Sequence, residues 1–195
     1  TRYFVEETIK DYRNSGVDKD DATRAKIREL IQQSFAIGQD YNKNIREDVR
    51  YVELTDAAML DGLPEDFIEG HQPDEDGVIR ISTNYPDYFP VMSYAHNDDL
   101  RKDLRMAYGG RAYPVNEEVL RNLLKTRYEL AQILDYENYA ETVTQDRMIG
   151  SAKAAADFID NISAVVRPPA EKATARMLER SRQMAPDATP VKPVA

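Results

Sequence analysis

Apolar positions in this chain recur mainly at helical spacing. From Ala25 onward Ile27, Leu30, Ile31, Ser34, Phe35, Gly38, Tyr41, Ile45 and Val49 return every three or four residues, which predicts one long helix with a single buried seam. Gly38 on that seam predicts a close helix crossing. Val119, Leu120, Leu123, Leu124, Tyr128, Ala131 and Leu134 predict a second long helix over 117–134. Ala155, Phe158, Ile159, Ile162 and Val166 predict a third after Ser151, and both sets are expected to face inward. Leu100, Leu104 and Tyr108 mark one face of a shorter helix over 99–108.

Local signals punctuate these helices. The opening helix should stop near Asn14-Ser15-Gly16, where Gly16 can adopt the left-handed conformation that closes a helix end. Asp20 or Asp21, Asp98, Asn116 and Ser151 are expected helix caps. Pro86 and Pro90 are expected to hold Asp87-Tyr88-Phe89 outside a helix that begins only at Val91, and another helix should run from Tyr139 through Met148. Pro168-Pro169 should kink the last helix or divide it from a further one over 171–184.

Two stretches break the helical period. Tyr51-Val52-Glu53-Leu54 and Val78-Ile79-Arg80-Ile81-Ser82-Thr83 alternate and are rich in β-branched residues, so they read as short strands. Between them, residues 56–60 read as a single helical turn closed by Gly62, and Pro64 introduces a short helix over 65–68. The expected fold is therefore mainly α, a long-helix bundle with a small β-hairpin insertion. Residues 1–185 form its helical domain, and residues 186–195, rich in proline, form a linker or loop.

Composition narrows the function classes. The chain has 195 residues, enough to bury roughly 70% of its unfolded surface in one core. It has no cysteine, which excludes disulfides, thiolate metal sites and cysteine nucleophiles. A cysteine-free cytoplasmic protein and an exported one look alike; the cytoplasm is the expectation here. A net charge of −9 argues against a nucleic-acid backbone as partner. No stretch approaches the ~18 apolar residues that cross a bilayer. The first residue is Thr1 rather than Met, and the opening reads as the inside of a helix, so the chain is expected to be a piece of a longer one.

No complete catalytic site can be assembled from these residues, and no catalytic, cofactor-binding or metal residue is assigned. There are only two histidines; His71 is followed by Gln72 and His96 by Asn97, so neither opens an H-E-x-x-H helix. Asp74-Glu75-Asp76 beside His71 reads as a solvated turn before it reads as a cation site. Asp18-Lys19-Asp20 with Glu29 imitates a calcium loop but has Thr23 where the sharp turn needs glycine. Asp98-Asp99 and Glu117-Glu118 fall at helix starts, where they complement the dipole. Ser151-Ala152-Lys153 lacks the Ser-x-x-Lys spacing. The unusual feature is tyrosine: eight of the twelve lie between Tyr85 and Tyr139, a composition that suits a peptide-binding wall or helix packing at a partly wet surface. Tyr88 and Tyr94 are expected to be packing residues.

Several separated segments carry a family resemblance. Leu60-Asp61-Gly62-Leu63-Pro64-Glu65-Asp66-Phe67, Tyr85-Pro86-Asp87-Tyr88-Phe89-Pro90-Val91-Met92 and Ala107-Tyr108-Gly109-Gly110-Arg111 resemble the thimet oligopeptidase and oligopeptidase A family of zinc metallopeptidases. So do Asn116-Glu117-Glu118-Val119-Leu120-Arg121-Asn122-Leu123-Leu124 and Asp135-Tyr136-Glu137-Asn138-Tyr139-Ala140-Glu141. The resemblance spans nearly the whole chain in order, and no segment of it is a catalytic signature.

That resemblance implies a mostly helical N-terminal region forming one side of a deep channel. The other side, in the family, carries the H-E-x-x-H helix whose histidines, with a later glutamate, bind zinc. This chain would then be the channel-wall portion of an enzyme that hydrolyses short peptides, inactive alone, with the catalytic half of its own chain as partner and zinc bound outside these residues. A stand-alone, non-catalytic helical domain that binds peptides or proteins is the alternative, and an acidic helical domain unrelated to peptidases is a third reading.

Overall fold

A computed structural model describes residues 2–184. The described chain is mainly α-helical, with eight α-helices and one two-stranded antiparallel sheet. It divides into two compact units, one made of residues 21–130 and the other of residues 2–20 with 131–184.

The unit of residues 21–130 contains the core. Helix α2 (Asp21–Glu47) is followed by β1 (Tyr51–Leu54), a 3₁₀ turn (Ala57–Leu60), α3 (Glu65–Gly70), β2 (Ile79–Ser82), α4 (Tyr85–Tyr94) and α5 (Asp98–Gly109). Helix α6 (Val115–Ile133) begins in this unit. Strands β1 and β2 pair with Tyr51 opposite Ser82 and Leu54 opposite Ile79. The two-residue period of a strand then sends Ile79 and Ile81 into the core, while Arg80 and Glu53 meet on the wet face at 2.9 Å.

Around the sheet, Leu60, Leu63, Phe67, Val91, Leu100 and Leu104 complete one apolar cluster. Leu100 and Leu104 are fully buried because they are four apart on α5, with Tyr108 packed against the same cluster. Gly62 closes the turn ahead of α3 at φ +90, and a Cβ there would stand 2.4 Å from the Tyr94 carbonyl oxygen, so no other residue fits. His71 ties the end of α3 to α4: Nδ1 lies 2.8 Å from the Phe67 carbonyl oxygen and Nε2 3.2 Å from Asp87 Oδ1.

Several sequence expectations change in this unit. Helix α4 runs through both prolines: Pro86 lies in the first turn, where no N–H is needed, and Pro90 removes only one further bond. The cap of α5 is Asn97, not Asp98; its side chain accepts from the Leu100 amide at 2.9 Å. Asn116 does not cap α6. It lies buried inside the helix, donates to the Tyr41 carbonyl at 3.0 Å and accepts from Asn44 Nδ2 at 2.9 Å, fastening α6 to α2.

The long seams are also narrower than their spacing implies. On α2, Ile27 and Leu30 are buried but Ile31 and Phe35 are exposed, and open space surrounds Gly38 where a close crossing was expected. On α6, Leu123, Leu130 and Ala131 are buried, whereas Leu120, Leu124 and Tyr128 form an exposed row.

The other unit joins the two ends of the described chain. Helix α1 (Arg2–Asn14) closes at Gly16 with φ +75, and the Tyr136 hydroxyl donates to Asn14 Oδ1 at 2.8 Å. Lys19 pairs with Asp135, which raises the lysine pKa. Helix α7 (Tyr139–Thr144) ends before Met148, because a turn completed by Gly150 at φ +77 intervenes. Helix α8 (Ala152–Met184) is capped by Ser151 Oγ, which accepts from the Ala154 amide, and by Glu141, which accepts from the Ala152 amide at 2.8 Å.

Pro168 and Pro169 lie inside α8, which continues as one helical segment. Phe158, Ile159, Ile162 and Val166, expected to face inward, are exposed. Their helical spacing is that of a buried stripe, but nothing among the described residues covers it. The proline-rich stretch 186–195 lies outside the described residues.

Candidate functional site

The tyrosines of α4 and α5 separate into two roles. Tyr88 and Val91, with Ala95 just past the helix end, form the core-facing side of α4, so Tyr88 is buried, and its ring stacks on Tyr108 with centroids 3.9 Å apart. Tyr85 and Phe89 sit one turn apart on the outer side, with centroids at 5.3 Å, and both are exposed. Tyr94 is exposed as well, contrary to its expected packing role, because it lies beside the buried face of α4 rather than on it. Next to Tyr108, the Tyr85 phenol is held above its ordinary pKa, chiefly by its hydrogen bond to that tyrosine.

Arg111 extends this aromatic step. Its Cζ stands 3.9 Å from the centroid of the Tyr108 ring, a cation–π contact, and its Nε donates to the Tyr108 carbonyl at 3.1 Å. The loop that carries it is anchored by the residue just past the end of α2. Asp48 Oδ2 accepts from the Ala112 amide at 2.6 Å, and both Asp48 oxygens accept from Arg50, the shortest contact being 2.9 Å. Ala112 is buried at φ +59, ahead of a cis Tyr113–Pro114 peptide. The Arg50 guanidinium, then the Ala112 amide, hold the Asp48 carboxyl below the ordinary carboxylate range.

Together these residues border an open cleft of about 370 Å³ within the 21–130 unit, lined by Asn42, Ile45, Arg46, Asn84, Tyr85 and Arg111. Its lining has two guanidiniums, two carboxamides and a phenol, and no carboxylate. A second groove of about 480 Å³ lies between α2 and α6, where Asp40, Lys125 and Glu129 give it mixed charge.

Other candidate groups from the sequence have structural work to do. Asp74 accepts from the Val78 amide at 2.9 Å and the Asp76 amide at 3.0 Å and pairs with Arg80, which lowers its pKa and fixes the loop before β2. His71 is engaged with Phe67 and Asp87, and His96 pairs with Asp61 at 3.0 Å. Asp18, Asp20 and Glu29 do not form a loop site, since α2 begins at Asp21. Among the described residues no group of three histidine, cysteine, aspartate or glutamate side chains converges to hold a metal ion. Sequence reasoning missed Arg46, Arg111, Asn42, Asn84 and Asp48; the available signal was an arginine just past the Gly109-Gly110 helix end, three residues from Tyr108.

A sequence model of peptidase family M3 matches residues 91–189. The chain belongs to peptidase family M3. Saccharolysin of Saccharomyces cerevisiae is 30% identical over 175 residues, covering 87% of this chain and 24% of that protein. Oligopeptidase A of Salmonella typhimurium is 27% identical over 188 residues, 89% of this chain and 28% of that protein. The thimet-like oligopeptidase of Dictyostelium discoideum is 26% identical over 169 residues, 86% and 25% of the respective lengths. This M3 chain thus spans about a quarter of the length of the curated relatives it matches. M3 peptidases in general depend on zinc, and the described residues do not fit a zinc centre.

Proposed function

We propose that this chain is the channel-wall portion of a zinc-dependent metallo-oligopeptidase, which contacts short peptide substrates while a catalytic half of the same polypeptide supplies the H-E-x-x-H zinc site. The observation that carries the reading is membership of family M3 together with relatives named as oligopeptidases. The exposed aromatic and arginine side chains around the cleft are suited to holding a peptide, because flat rings cover apolar side chains and guanidiniums bond carbonyl and carboxylate oxygens. The uncovered apolar row of α8 supports a further protein surface against it. In this reading the chain selects and positions substrates and has no hydrolytic activity of its own.

An internally quenched fluorescent peptide tests this. The full-length product should cleave it, a zinc chelator should abolish cleavage, and the 195-residue chain alone should leave it intact. Cleavage by the 195-residue chain alone, or a zinc-loaded full-length product that cleaves no short peptide, would overturn the proposal.

A further inference from the structure

We infer that the cleft between α2, the start of α4 and the Arg111 loop is a carboxylate-binding site for the substrate peptide. The inference rests on the peptide-wall reading above and adds which chemical group of the peptide is held, and by which residues. Its basis is an imbalance of charge. Acidic residues outnumber basic ones 35 to 26 in the whole chain, yet this cleft is lined by Arg46 and Arg111 with no acid.

The nearby acids are committed elsewhere. Asp48 lies near enough to feel the Arg111 charge, but its oxygens are bonded to Arg50 and the Ala112 amide; Asp87 accepts from the Ser82 amide and hydroxyl and faces His71. Arg111 is oriented rather than free to swing: its Nε donates to the Tyr108 carbonyl and its Cζ stands over the Tyr108 ring. That leaves its two terminal nitrogens for an incoming acceptor, the fork geometry that suits a planar carboxylate.

The neutral residues point the same way. Asn84 occupies the N-cap position of α4, yet its side chain makes no capping bond, which leaves the carboxamide available to the cleft. Asn42 spends one donor on the Gly38 carbonyl at 3.0 Å and keeps its other. The Tyr85 ring forms the wall beside Arg111, its single O–H being engaged with Tyr108. Phe89, exposed one turn beyond Tyr85, offers an apolar step for a neighbouring side chain of the same peptide. Donors outnumber acceptors around the cleft, and an anion of carboxylate size satisfies them.

Titration of the isotope-labelled chain with three short alanine–leucine peptides tests the assignment: a free C-terminal acid, its C-terminal amide, and an amide with one glutamate. The acid should shift the Arg111 Nε–H and the Asn42 and Asn84 side-chain amide resonances. Amidation should weaken binding about tenfold, as losing a charge-assisted hydrogen-bonded pair does. Arg46→Gln should weaken the acid by about three- to tenfold and leave the amide unchanged. Arg46 is exposed and makes no bond to another described residue, so this variant should keep the fold even where Arg111→Gln does not.

If the glutamate-bearing amide restores the affinity of the acid, the carboxylate can come from a side chain. If it does not, the terminus is the ligand; either result supports a carboxylate site. Equal binding of acid and plain amide would overturn the inference while leaving the peptide-wall reading standing. Binding of none of the three would overturn both.

Discussion

Asp48 allows the clearest quantitative test, because one carboxylate fixes the loop that carries Arg111. Asp48→Asn keeps an oxygen for the Ala112 amide but replaces the charge facing Arg50; Asp48→Ala removes both interactions and leaves a buried amide without an acceptor. Hydrogen bonds to charged groups contribute about 1.5–3 kcal/mol, and an orphaned buried donor costs about 1–3 kcal/mol. The Asp48 side chain is 33% exposed and Arg50 37%, so solvent screening favours the lower end for the ion pair. Asp48→Asn should therefore lose about 1–2 kcal/mol and Asp48→Ala about 2–4 kcal/mol.

Urea midpoints at neutral pH measure these losses, provided the slope is unchanged, and amide hydrogen exchange at Ala112 reports the loop itself. The pH dependence has a definite sign. The folded carboxyl titrates below its ordinary value near 3.8, so its stabilisation is complete above that value and is lost as pH falls through the folded pKa. The gap between parent and Asp48→Asn should accordingly close in acid. Two variants within about 0.5 kcal/mol of the parent, or a gap that persists undiminished in acid, would refute the anchoring role.

Other substitutions test the rest of the fold. Gly62→Ala, facing a carbonyl oxygen at a left-handed position, should cost roughly 2–4 kcal/mol by thermal or urea unfolding. Leu104→Ala, in the centre of the apolar cluster, should cost about 2–5 kcal/mol. Asn97→Ala should lose about 1 kcal/mol and raise exchange in the first turn of α5, whereas Asp98→Ala should not, since Asn97 is the cap. Ile162→Asn on α8 should change the stability of the 195-residue chain by less than about 0.5 kcal/mol, but cost about 1.5–3 kcal/mol in a full-length protein that covers this face.

The helical class and both strands were legible because their periods are local properties: β1 matches its expected residues, and Leu100 and Leu104 point inward as their spacing requires. Caps were read with less success. Asp98 and Asn116 carry the right chemistry for capping, but Asn97 begins α5 one residue earlier, and tertiary contacts to Tyr41 and Asn44 draw Asn116 into α6. Burial was least legible, since a stripe such as Phe158, Ile159, Ile162 and Val166 records that a face needs a partner without saying which residues provide it. The cleft was illegible for a related reason: Arg46 and Arg111 are 65 positions apart, and only the Asp48 anchor and the Tyr108 ring bring the second toward the first.

The unit built from both ends of the described chain also constrains the order of folding. Asn14 meets Tyr136 across 122 positions and Lys19 meets Asp135 across 116, whereas residues 21–130 form one uninterrupted stretch. During synthesis α1 emerges ahead of residues 21–130 yet must wait for residues more than a hundred positions later, while the intervening stretch can already collapse on itself. A contiguous nucleus that folds early shortens the effective loop those distant contacts must close, and so lowers their entropic cost. Mutations in the Leu100–Leu104 cluster should for that reason slow the docking of the α1 end onto the turn at Asp135 and Tyr136, although no residue of that cluster belongs to the unit that contains those contacts.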